Sequence, residues 1–137
     1  MPFIDANVFI RYLTRDDPQK AEACFALFQR VKRDEIALVT TESVIAEVVY
    51  VLSSKQLYAL PRGKIRDLLY PLLSLPGLKL VGRKTYLQAL DIYAGYSVDF
   101  EDALLVAQME RLGETALYSY DRDFDQVPGI TRIEPET

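Results

Sequence analysis

Along this chain short apolar runs alternate with longer stretches in which apolar residues return every third or fourth place, the two periods of buried strands and amphipathic helices. Phe3 and Ile4 form the first run, which ends on Asp5 and Asn7. Read as a buried strand, it sets Asp5 at its carboxyl end, where open α/β sheets bind ligands. Asn7 takes the N-cap of a helix carrying Val8, Phe9, Tyr12 and Leu13. Asp17 and Pro18 then open a helix over 18–33, Asp17 as cap and Pro18 at the first helical position. Its stripe is Ala21, Cys24, Phe25, Phe28 and Val31. A strand over 36–39 leads to capping hydroxyls at 40–43 and a helix to about 54. Another helix covers 61–74, with Pro71 set to kink it or loosen its last turn. After a strand at 78–81 comes a helix at 83–94, with Tyr86, Leu87, Leu90 and Tyr93 inward and Gly95 as its stop. Asp99 caps a further helix, a strand at 116–120 ends on Asp121, and 129–133 makes an edge strand. This alternation predicts an α/β fold with a mostly parallel sheet covered on both faces. With no repeat or linker, residues 1–137 read as a single domain.

Composition narrows the chemistry. Half of the 137 residues are apolar and 26% are charged, an ordinary globular balance. No apolar run approaches the roughly 18–20 residues of a membrane span and no basic-then-apolar leader stands first, so a cytoplasmic protein without membrane contact is expected. Cys24 is the only cysteine, which excludes an internal disulfide and a cysteine zinc cage. Beside Phe25 and Leu27 it reads as a core thiol. Histidine is absent, so Ser-His-Asp and Cys-His catalysis are excluded and the chemistry must run on carboxylates. A net charge of −4 argues against a broad basic face for nucleic acid. Either the partner is not nucleic acid, or the negative charge is concentrated where a cation neutralises it.

Four acids recur against apolar elements. Asp5 and Asp121 each follow an apolar strand. Glu47 is the one charged residue in 44–52, and it is either an edge residue reaching water or a semi-buried acid with a cation partner. Asp102 lies in the first turn after the Asp99 cap, where Glu101 and Asp102 together put more acid than capping requires. If these four shared one pocket, pairs about 5 Å apart would repel by about 3 kcal/mol each at an effective dielectric near 20. A divalent cation relieves that repulsion, and all-oxygen donors suit magnesium or manganese. Acids with a phosphate-bound metal point to phosphodiester hydrolysis.

Over essentially its whole length the chain resembles the PIN-domain ribonucleases, and among them the VapC-type toxins of type II toxin–antitoxin pairs. The resemblance rests on the opening Ile4-Asp5-Ala6-Asn7-Val8, on Glu47, on Val98-Asp99-Phe100-Glu101-Asp102-Ala103, and on Tyr118-Ser119-Tyr120-Asp121-Arg122-Asp123-Phe124 with the trailing Pro128-Gly129-Ile130. It implies a three-layer sandwich whose central sheet has four to five strands. It also implies a magnesium- or manganese-dependent endoribonuclease that leaves a 5′-phosphate and a 3′-hydroxyl on its RNA substrate. Asp5, Glu47 and Asp102 match the family's three main acids and Asp121 its fourth, with Asp5, Asp102 and Asp121 as metal ligands. Asn7 would orient Asp5 or a water, and Ser119 stands where the family more often has Thr. Asp99 either supplements Asp102 or only caps its helix, and Asp123 competes with Asp121. Arg11 and Arg15 are candidates for phosphate contacts. A homodimer and a small antitoxin that blocks the acid pocket are further implications, and the apolar pair of helices at 44–54 and 61–74 is either core or a surface for a second subunit.

Other classes fit less well. A haloacid-dehalogenase-like phosphatase needs a second acid where Asn7 stands, and a receiver-type phosphoacceptor needs a Lys that 118–124 does not supply. The remaining alternative is a catalytically silent PIN-like module that binds RNA or protein.

Overall fold

A computed structural model describes residues 1–136. Among them are six α-helices and four short strands, and the chain divides into two compact units, Met1–Arg83 and Lys84–Thr137.

In the first unit α1 (Ala6–Thr14) packs on α2 (Pro18–Lys32) and α3 (Glu42–Ser53), and α3 packs on α4 (Arg62–Leu73). β1 (Leu38–Val39) pairs in parallel with β2 (Leu78–Lys79), Leu38 opposite Leu78. The opening segment joins β1 on its other side by one parallel bridge, Phe3 to Val39. Ile4 N–H donates to the Val39 carbonyl at 2.9 Å, and Val39 N–H to that of Pro2 at 2.9 Å. These bonds hold residues 2–4 extended, and the helix starts immediately after them. The N-cap is therefore Asp5, and Asn7 lies inside the first turn, a correction to the sequence reading.

The other caps stand as the sequence placed them. Asp17 accepts from Lys20 N–H at 3.2 Å with Pro18 next in line, and Thr41 accepts from Val44 N–H at 3.4 Å. On α2 the buried positions are Ala21, Phe28 and Val31. Phe28 meets Phe9 at 5.7 Å between ring centroids and Tyr12 at 4.7 Å. Phe25 instead lies toward solvent and stacks on Tyr12 at 6.3 Å, so it flanks the stripe. Cys24 is half-buried, not a full core residue, and burial pushes its thiol pKa up, away from nucleophile chemistry. Pro71 sits in the last turn of α4, which continues to Leu73.

Gly77 precedes β2 where the backbone runs against α2. A Cβ there would stand 2.9 Å from Val31 Cγ1 and 3.0 Å from the Val31 carbonyl oxygen. A side chain can yield to such contact, but a helical carbonyl yields little. Gly77→Ala is therefore expected to destabilise the protein by about 1–3 kcal/mol in a urea unfolding curve, the cost of overpacking. A midpoint equal to wild type would refute that close approach.

The second unit contains α5 (Arg83–Gly95, which begins one residue earlier), α6 (Phe100–Leu112), β3 (Ala116–Tyr118), a 3-10 turn (Arg122–Gln126) and β4 (Thr131–Ile133). On α5 the buried positions are Tyr86, Ala89, Leu90, Ile92 and Tyr93, and Leu87 is only half-buried. β3 and β4 pair in parallel, with Leu117 opposite Arg132.

Every strand is shorter than its apolar run. Gly82 (φ +77°) turns the chain after β2, and Val81 is exposed. Gly129 (φ +86°) turns it before β4. The ladders seen are two separate two-stranded parallel ones, and a single sheet of four to five strands is not among them. No helix among the described residues is long and apolar enough to cross a membrane.

Candidate active site

In the second unit the start of α6 and the end of β3 bring four carboxylates into one field. Asp99 has an extended backbone and its Oδ1 accepts from Asp102 N–H at 2.8 Å, so Asp99 is the helix cap. Asp102 follows in the first turn, half-buried beside Phe100 and Ala103. Its carboxyl pKa is pushed up from 3.8 to about 6, first by burial and then by the charges of Asp99, Asp121 and Asp123. The positive end of the helix dipole works the other way and is outweighed.

Asp121 leaves β3 in extended conformation and caps the 3-10 turn, its Oδ1 accepting from Asp123 N–H at 2.9 Å. Its own N–H donates to Ser119 Oγ at 3.0 Å. Ser119 thus fixes the backbone from which Asp121 projects. Asp121 and Asp123 are both exposed, and both charges reach Asp102.

The first unit holds Asp5, Asn7, Glu47, Arg11 and Arg15. Asp5 occupies the N-cap of α1 but makes no side-chain cap hydrogen bond, and both it and Asn7 are exposed. Asp5 lines a groove of about 550 Å³ whose apolar wall includes Phe3, Val8, Leu38 and Val44. Glu47 lies one helical turn beyond Val44 and is exposed, because Ile45, Val48, Val49 and Leu52 fill the buried face of α3. It is the edge residue of the two readings; no cationic side chain pairs with it among the described residues. Arg11 is held by Asp16 at 2.9 Å, and Tyr58 donates to the same carboxylate. Arg15 faces Glu22 at 3.9 Å and is more open. A phosphate at Arg11 must therefore compete with Asp16.

Among the described residues no three His, Cys, Asp or Glu side chains stand close enough to cage a metal ion. Magnesium does not require such a cage, since it keeps several waters and uses one or two carboxylates together with substrate phosphate. The donor chemistry fits: hard oxygens only, and a carboxyl whose ionisation is held back first by burial and then by three neighbouring charges that a cation would offset.

Two residues near Asp121 escape sequence reasoning, Asp125 and Arg132, which pair at 2.9 Å. The signal was one arginine in the edge strand beside an acid-rich stretch, and surface pairs of that kind are too common to single out.

Comparison with family profiles matches residues 3–130 to the PIN domain, so the matched region runs through both units. Comparison with curated proteins gives no match.

Proposed function

The chain belongs to the PIN-domain family, whose fold is of nuclease type, and on that premise we propose that it is a magnesium- or manganese-dependent endoribonuclease. The observation that carries the reading is Asp102, a half-buried carboxyl reached by the charges of Asp99, Asp121 and Asp123 in a chain without histidine. Asp102 and Asp121 would hold the cation, and the family resemblance alone adds Asp5 as a ligand. A bound divalent cation supplies charge stabilisation at the phosphodiester and lowers the pKa of water.

The side chains do the rest. Asp5 projects from a helix start where no cap bond engages it, and Asn7 stands in the same turn to orient it. Glu47, open to water, accepts the proton of the attacking water. Ser119 keeps Asp121 in place, Asp99 is the cap that sets the first turn for Asp102, and Arg15 and Arg11 receive neighbouring phosphates. Attack by water on phosphorus leaves a 5′-phosphate and a 3′-hydroxyl, with no part for the RNA 2′-hydroxyl.

We further propose a cytoplasmic toxin of the VapC type, a single PIN domain in each subunit of a homodimer, paired with a small antitoxin. The resemblance described above supports the pairing. For the dimer, α3 and α4 offer Tyr50 and Tyr70 at the surface, and Leu57 in the connection between the two helices is exposed as well, apolar area available to a second copy.

Incubation of purified protein with a labelled RNA tests the activity. Cleavage is expected with Mg²⁺, none with excess chelator, and recovery on adding Mn²⁺. A silent binding module would bind the RNA and cut it under none of these conditions.

A further inference from the structure

We propose that Arg132 is a positioning residue that sets Asp121, on the turn it shares with Asp123, for the cation, an inference that rests on the reading above. Its side chain is only 11% exposed, unusual for an arginine on an edge strand. Nε donates to Asp125 Oδ1 at 2.9 Å and Nη2 to Asp125 Oδ2 at 3.3 Å, a forked pair. Nη1 donates to the Ser119 carbonyl at 3.1 Å and to Glu134 Oε2 at 2.9 Å. Ser119 and Asp125 bracket the segment that carries Asp121 and Asp123. Ser119 in turn receives the Asp121 N–H on its hydroxyl. One guanidinium therefore fixes both ends of the acid-bearing turn.

Strand pairing does not need this clamp. Ser119 N–H donates to the Ile133 carbonyl at 3.0 Å, and Thr131 N–H to that of Thr115 at 2.8 Å. Loss of Arg132 should leave the ladder closed and free the turn beyond it. Lysine cannot replace it, because a single ammonium lacks the planar fork that spans Asp125 and reaches Ser119 together.

Amide exchange and Mn²⁺-induced broadening of amide signals, both read by NMR on the full chain, provide the test. In metal-free Arg132→Ala the Asp121 and Asp123 amides are expected to exchange at least about 10-fold faster, with the Ser119 and Thr131 amides unchanged. The Mn²⁺ concentration that half-broadens the Asp121 signal should rise at least about 5-fold, with Arg132→Lys between the two. If Arg132→Ala fails to fold, Asp125→Asn removes the charged fork from the exposed side and is expected to change the same amides in the same direction. Exchange and Mn²⁺ response equal to wild type in whichever variant folds would overturn the inference. If wild type itself shows no Mn²⁺ broadening at Asp121, the endoribonuclease reading fails, and the exchange rates alone still decide whether Arg132 holds the turn.

Discussion

Asp102→Asn is expected to lose at least about 10³-fold in RNA cleavage and yet to melt about 3 °C higher than wild type at pH 8 without divalent metal. The loss follows if Asp102 is, as proposed, a ligand to a cation that supplies several kcal/mol of charge stabilisation, each 1.36 kcal/mol being tenfold in rate. The gain follows from the raised carboxyl. A folded-state pKa of about 6 against 3.8 means that the folded chain binds more protons than the unfolded chain between those values. Stability therefore falls as pH rises from 4 to about 6, and the deficit is fully present above. Its ceiling is about 3 kcal/mol, and solvent screening at a half-buried group leaves about 1 kcal/mol, or about 3 °C. Asparagine removes the charge without changing shape, and Asp99 accepts its cap bond from the backbone N–H of residue 102, which is retained. The two proteins should melt together at pH 4, and saturating Mg²⁺ should raise wild type but not the variant. Equal melting at pH 8, or undiminished cleavage, would refute this assignment.

Asp5→Ala carries the second large effect, again at least about 10³-fold in cleavage for loss of the proposed ligand, with a melting temperature within about 2 °C of wild type. An acidic N-cap replaced by alanine ordinarily costs about 1 kcal/mol because a cap bond is lost. Here no such bond exists, and only the weak attraction to the helix dipole goes. Thr41→Ala gives the contrast, since its hydroxyl does accept from Val44 N–H and its loss should cost about 1 kcal/mol. A carboxylate at a helix start, left out of the cap it could have made, is available for a ligand. Full activity in Asp5→Ala would exclude that role, and loss of the fold would show that the side chain is structural after all.

The helices were readable from the chain because their signals are local. Asp17 with Pro18, Thr41 and Asp99 each satisfy an N–H three residues away, so spacing alone identifies them. Features set by partners distant in sequence were not. The start of α1 depends on the bonds between Pro2, Ile4 and Val39, which moved the cap from Asn7 to Asp5. Strand ends depend on where Gly82 and Gly129 turn the backbone, so apolar runs overstated strand length. For Glu47 the apolar neighbours suggested burial, but the buried face of α3 runs through Ile45, Val48, Val49 and Leu52 and turns Glu47 outward. Asp99, Asp102, Asp121 and Asp123 were named as candidates from the chain, whereas their mutual field required the fold. Arg132 went unnoticed because its partners lie at three separate places, Ser119, Asp125 and Glu134.

Titration calorimetry with Mn²⁺ addresses the central claim, that carboxylates including Asp102 hold a divalent cation. Wild type is expected to bind Mn²⁺ at pH 7.5 and to weaken as pH falls through about 6, where Asp102 takes up a proton, whereas Asp102→Asn should bind at least about tenfold more weakly at pH 7.5. Identical isotherms for the two proteins, or no binding heat in wild type, would contradict it.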